Sequence, residues 1–287
     1  MFRIITTLVM VAIAAVAVLS QYQDYSANPW TRDGQVRAHI IQITPRVTGP
    51  VTQVLVEDNS QVKKGQLLFE IDPSLYRAEL SNAKAKQLQA MALLDKAKNE
   101  NHRAMALESR KHGTVSELDL NNFQNAVQTA QANLAAADAV VEQAELNMAY
   151  THVTAPTDGF ITNLNLRQGA QVVANNPVVA LIDQNSFWIE GFFKETDLQG
   201  VNIGDKAQVT LMMNPNSPIN AQVESIGYGI AKSDGSTGNT LLPNVNPNFQ
   251  WIRLAQRIPV KVHLDQVPES VQLRVGTTAS VQIYTGV

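Results

Sequence analysis

Three carboxylates, Glu190, Glu195 and Asp197, crowd the segment IEGFFKETD beside an aromatic pair. Carboxylates converging on an apolar patch are what general acid–base catalysis requires, because burial drives their pKa values apart into a donor and an acceptor. They are the only tight carboxylate group of this kind, and carboxylates at a strand end more often face water. The histidines, His39, His102, His112, His152 and His263, show no metal-ligand spacing. The chain has no cysteine, which removes thiolate metal sites, a cysteine nucleophile, disulfides and a lipoprotein anchor together. There is no Gly-x-Ser-x-Gly, His-Glu-x-x-His or dinucleotide fingerprint. The glycines of KSDGSTGNTLLPNVNPN, Lys232 to Asn248, read as a mobile loop without the strand-to-helix context of a phosphate cradle. A net charge of -3 leaves no footprint for nucleic acid. These residues point to a protein that is not an enzyme, takes no cofactor or metal, and acts through assembly.

The elements that carry them begin with an internal repeat. RVTGPVTQVLVEDNSQV, Arg46 to Val62, returns as APTDGFITNLNLRQGAQV, Ala155 to Val172. With a constant shift of 110 positions, Gly49 falls on Gly159, Val51 on Ile161, Val54 on Leu164, Val56 on Leu166 and Val62 on Val172. Each copy is a glycine-containing turn, an alternating strand, a polar turn and a second apolar run, GQLLFEID or NPVVALID. In the second copy, alternation places Phe160, Thr162, Leu164 and Leu166 on one face and Ile161, Asn163 and Asn165 on the other. Two units with one apolar face each bury those faces against each other as a small sandwich. A lipoyl or biotin carrier has such a repeat but needs a modifiable lysine where the halves join. Lys63 and Lys64 lie instead within the turn of the first half.

The halves are joined by two segments rich in Ala, Gln, Leu, Lys and Glu, without proline between Pro73 and Pro156. Both read as long helices. Asp72 and Pro73 signal a start, Gly113 a C-terminal cap, and Ser116 with Asp119 a capping box. The second helix carries a heptad seam at Leu120, Phe123, Val127, Ala130, Leu134, Ala137, Val141, Ala144 and Met148. The first keeps the rhythm at Leu80, Ala83, Gln87, Ala90, Leu94 and Ala97. Alanine at every second seam position lets the helices approach closely as an antiparallel coiled-coil hairpin with its tip at His112 to Ser116. A hairpin of this length buries only its own seam, so its outer faces and tip serve neighbours.

The N-terminus has Arg3, then an uncharged apolar run from Ile4 to Leu19, then Tyr22, Asp24 and Tyr25. An uncleaved membrane anchor and a cleaved signal peptide both fit, and the two tyrosines favour the anchor. Either places the remainder outside a bacterial inner membrane. The C-terminal third is a series of short runs, WIEGFF, KAQVTLMM, AQVESIGYGI, IPVKVHL and TASVQIY, that a small β-barrel would close.

The order of these segments resembles the haemolysin-secretion-D-type periplasmic adaptors, or membrane fusion proteins, of tripartite efflux pumps. NPWTRDGQV, QITPRVTGPVTQV, APTDGFITNLN and WIRLAQRIPV are similar in particular to the p-hydroxybenzoic, or aromatic carboxylic, acid efflux branch. The resemblance implies a mixed all-β and coiled-coil protein. Its parts are a membrane anchor or signal peptide (1–25), a linker with the first barrel strand (26–42), a split lipoyl-like domain (43–73 and 151–185), a helical hairpin (74–150) and a β-barrel (186–287). It also implies a single-pass inner-membrane protein with its bulk in the periplasm, assembling as a hexamer between an inner-membrane transporter and a TolC-type outer-membrane channel. Channel contact then falls to the hairpin tip, to Leu107, Arg110, Gly113, Val115 and Ser116. Family tips carry Arg, Leu and Ser at set spacing. Here GTVS matches the Ser end at Ser116, Leu107 is too distant, and the arginine is Arg103 or Arg110. A type I protein-secretion adaptor keeps the architecture with another cargo.

Overall fold

The computed structural model describes residues 10–11, 13–16, 28–229, 255–268 and 270–285. The expected membrane segment lies largely outside these residues, and the Lys232 to Asn248 loop wholly so. Among the described residues no helix is long and apolar enough to cross a membrane.

The elements begin with β1 (Trp30–Arg37), β2 (Ile40–Ile43), β3 (Gly49–Val54), β4 (Gln61–Val62) and β5 (Leu67–Ile71). Two helices follow, α1 (Ser74–Arg110) and α2 (Glu117–Ala149). Then come β6 (His152–Thr154), β7 (Gly159–Thr162), β8 (Gln171–Val172), β9 (Val179–Asp183) and β10 (Trp188–Lys194). The last strands are β11 (Lys206–Leu211), β12 (Ile219–Ile226), β13 (Arg257–Leu264) and β14 (Thr278–Tyr284). They form two compact units, one of residues 40–183 and one of residues 1–39 with 184–287.

The first unit is a sandwich of two four-stranded sheets, β2-β9-β7-β4 and β6-β5-β3-β8. The repeat halves do not pack as separate units, as their sequence pattern suggests. They exchange their short strands, so that β4 of the first half pairs with β7 and β8 of the second half pairs with β3. The exchange is symmetric: Val62 stands opposite Gly159, and Val172 opposite Gly49. The turns obey the same shift. Asn59 and Gly169 both have positive φ, as do Gly65 and Asn175, and Gly and Asn are the residues that adopt this conformation at least cost.

Strict alternation fails after β7. Ile161 is buried, as are Leu164 and Leu166, which the period placed on the opposite face. The cause is Asn163, whose φ of 57° ends β7 and reverses the phase of the chain. The Asp58 carboxylate holds the reversal by accepting the Leu164 N–H at 3.1 Å. All three side chains then join Val51, Val62, Phe69, Ile71, Val172 and Leu181 in one core.

The second unit is a closed barrel of order β1-β10-β13-β12-β11-β14. β1 closes it by pairing with both β10 and β14. Alternation is clean in β14: in TASVQIY, Ala279, Val281 and Ile283 point inward among Val36, Ile189, Phe193, Val209, Val223 and Val262. Polar partners decorate the outer wall, with Arg37 on Glu190 at 3.0 Å and Lys261 on Glu224 at 2.6 Å.

Candidate functional site: the hairpin tip

α1 and α2 run for 37 and 33 residues, or about 55 and 50 Å at 1.5 Å per residue. Both are rich in strong helix formers, but in proteins most helical stability comes from packing one face. Pairing supplies that packing. On α2, Val141 and Ala144 are buried, and Leu120, Phe123, Val127, Ala130, Leu134, Ala137 and Met148 are half-buried. On α1, Ala83, Leu94 and Ala97 are buried, and Leu80, Gln87 and Ala90 are half-buried. Gln87 donates to Asp138 at 2.8 Å, and Lys84 pairs with Glu145 at 3.0 Å, tying the two helices near their base.

The seam of α1 extends beyond the residues read from its apolar rhythm. The same spacing continues through Asn101 and the buried Ala104 to Glu108. Glu108 is the organising residue of the tip. One carboxylate oxygen accepts the Gly113 N–H at 2.8 Å, and the other accepts Thr114 at 3.1 Å and Val115 at 3.0 Å. His112 Nδ1 stands 3.5 Å away. Hydrogen bonds from Val115 and Gly113 lead the causes that hold the Glu108 carboxyl below the ordinary glutamate range. Successive N–H groups converging on one anion form a nest, here filled by the chain's own side chain. A charged residue landing on the last seam position, just before a turn, is the sequence signal that marks it.

The tip residues named from sequence occupy the turn in the following way. Leu107 is half exposed at 51%, and Arg110 ends α1 in solvent. The C-cap is Lys111, and Gly113 lies beyond it in the turn with φ 79°. Val115 is half-buried under the turn. Ser116 is the N-cap of α2, but its hydroxyl accepts the Leu118 N–H at 3.3 Å. It does not reach the Asp119 N–H that a capping box requires, because its bond goes one residue earlier. Leu118, absent from the sequence reading, is 68% exposed beside this cap. The turn thus presents two apolar side chains and the cations Arg110 and Lys111, with no general base poised over a nucleophile. This is chemistry for contact. Ser116→Ala is expected to cost about 1 kcal/mol of helix stability, measured by urea unfolding followed by circular dichroism. A variant that stays helical but stops supporting efflux would make the hydroxyl a contact group as well.

Residues 39–184, just over half the chain, match the family described as RND MFP, barrel-sandwich hybrid domain. The chain belongs to the RND membrane fusion protein family. Residues 186–284 of this membrane fusion protein match the AAEA-like beta-barrel domain. It is 37% identical over 278 residues to an uncharacterized Escherichia coli (strain K12) protein, YdhJ, covering 97% of this chain and 96% of the relative. Among solved structures it is similar to MacA from Actinobacillus actinomycetemcomitans, with TM-score 0.66 and 23% identity over 90% of this chain and 80% of that one. It is also similar to the membrane fusion protein Spr0693 from Streptococcus pneumoniae R6, with TM-score 0.64 and 14% identity over 90% and 99% of the two chains.

The other chemistry-bearing residues of this membrane fusion protein stay dispersed. Glu190 is engaged by Arg37, while Glu195 and Asp197 stand exposed in a 3-10 turn after β10. Lys63 and Lys64 are exposed in the turn between β4 and β5. His152 lies 3.5 Å from Glu70, and His39 packs on the Trp188 ring at 5.0 Å between centroids. Among the described residues no three metal-ligating side chains of the His, Cys, Asp and Glu set come together.

Proposed function

We propose that the protein is a non-catalytic periplasmic adaptor of a tripartite efflux pump. The observation that carries this reading is the hairpin. Some 70 helical residues leave a small sandwich, bury mainly their own seam, and end in a turn that the Glu108 carboxylate holds in one shape. Such a structure contributes little to the sandwich it leaves, and an ordered tip far from the core is suited to docking.

In this reading Leu107, Arg110, Gly113, Val115 and Ser116 meet a TolC-type outer-membrane channel, and the barrel meets an inner-membrane transporter. The run from Ile4 to about Tyr22 anchors the chain as a single inner-membrane pass, with the bulk in the periplasm and six copies forming the conduit. The cargo is a small toxic compound, with aromatic carboxylic acids the first to test. The similarity to MacA, a membrane fusion protein and other adaptors supports the architecture of the proposal.

The decisive experiment is photo-crosslinking in living cells from the outer wall of the barrel, at Gln35 or Gln222, with the crosslinked species identified by mass. A multi-pass inner-membrane transporter is the expected product. Recovery of soluble periplasmic proteins alone would overturn the adaptor reading.

A further inference from the structure

We infer that the loop from Pro45 to Pro50 is a clamp on both roots of the hairpin, with Arg46 as the residue that positions the hairpin for docking. From Ile43 to Gly49 the chain alternates strictly, with Ile43, Pro45, Val47 and Gly49 buried and Thr44, Arg46 and Thr48 exposed. The inward side is sewn into the sandwich core through Ile43 and Val47. The outward side grips two helices.

At the root of α1, the Tyr76 hydroxyl donates to the Thr48 carbonyl at 2.7 Å. At the end of α2, the C-cap residue Tyr150 takes a hydrogen bond from Arg46 Nη1 at 3.0 Å. The same guanidinium lies 4.7 Å from the Tyr150 ring centroid, within cation–π range. The loop is itself tied from behind. Ala174 N–H donates to the Thr48 hydroxyl at 3.0 Å, Asn175 N–H to the Pro45 carbonyl at 2.9 Å, and Asp72 N–H to the Pro50 carbonyl at 2.9 Å. One short loop therefore joins the first turn of α1, the last residue after α2 and the second repeat half.

The length of the hairpin gives these contacts their leverage. A swing of about 10° at the root displaces a tip about 55 Å away by roughly 10 Å, more than the width of a side-chain contact. Two backbone crossings at the roots do not by themselves prevent such a swing, because both lie close to the hinge line. Lateral contacts from Arg46 and Thr48 do prevent it.

The inference rests on the adaptor reading for its purpose and not for its geometry. The chain has no cysteine, so Lys98→Cys on the hairpin and Gln168→Cys on the sandwich give a clean spin-label pair for distance measurement. Both positions are exposed. In Arg46→Gln/Tyr76→Phe the distance distribution is expected to broaden at least twofold, while Arg46→Lys, which keeps a cation over the ring, stays near the parent width. An unchanged width in the folded double variant would overturn the clamp. Should that variant fail to fold, Tyr76→Phe alone decides, since it deletes one hydroxyl and is expected to broaden the distribution measurably. Normal efflux by a variant with a broadened distribution would count against the adaptor reading while leaving the clamp intact.

Discussion

Efflux is expected to fall roughly tenfold or more in cells carrying Glu108→Ala, with helicity retained. The wild-type carboxylate gathers the N–H groups of Gly113, Thr114 and Val115 at 2.8 to 3.1 Å, and no other side chain in the turn does so. Alanine releases those donors to water, and the turn samples many shapes. If a tenth of these are competent to dock, apparent affinity falls about tenfold without loss of any direct contact. Glu108→Gln, which keeps the size and one acceptor oxygen, is expected to lie between.

The same arrangement sets a pH dependence. The folded pKa of Glu108 is depressed, chiefly by the Val115 and Gly113 hydrogen bonds. Its contribution is therefore fully present above the unfolded value of about 4.3 and is lost as pH falls through the lower folded value. Amide shifts of residues 113–115 should move together in an acid transition that lies below the ordinary glutamate value and is absent in Glu108→Ala. A Glu108→Ala protein that pumps normally, with these shifts unchanged, would show that the carboxylate does not shape the tip.

Gly159→Val is expected to prevent folding of the sandwich. A Cβ at Gly159 would sit 2.1 Å from the Ile182 carbonyl oxygen and 3.2 Å from a Leu181 methyl. Ile182 belongs to β9, which is hydrogen-bonded on both sides, to β2 and to β7, so its backbone cannot retreat without breaking a ladder. Overpacking that forces off-rotamer side chains and backbone shifts costs about 1–3 kcal/mol, occasionally more, and a 2.1 Å contact with backbone bonded on both sides belongs at or beyond the upper end. Even Gly159→Ala should therefore lose about 3 kcal/mol or more in urea unfolding. Gly49, its repeat equivalent, is the control. Its Cβ would meet only the Ile71 Cγ2 methyl at 2.7 Å, a side-chain atom and not a backbone held in a ladder, so Gly49→Ala should cost less. Equal losses at the two sites would refute the backbone explanation.

These two glycines mark where sequence reading stops. The repeat aligns Gly49 with Gly159 and Asn59 with Gly169; local turn chemistry explains the second pair, whereas the first stands in strands where Ile71 and the Ile182 backbone come too close for a Cβ. The heptad rhythm marked the α2 seam because a coiled coil is periodic and each residue's neighbours lie three or four positions away. Glu108 was missed on the same helix because it obeys the period but not the polarity. The Asp58 carboxylate that holds the reversal at Asn163 comes from 106 positions upstream of the Leu164 N–H it accepts. No window on either segment contains that contact.

The elements whose causes are local were legible in the chain: the strands, the two helices, the glycine-containing turns and the repeat that relates the sandwich halves. Tertiary structure alone decided that the halves exchange β4 and β8, that Leu164 and Leu166 turn inward with Ile161, that Glu108 fills the tip, and that Arg46 and Tyr76 tie the sandwich to the roots of the hairpin. The physical reason is that period and propensity specify which face of an element is apolar. The choice of partner at each strand edge and for each polar side chain depends on donors and acceptors brought together only when distant parts of the chain meet.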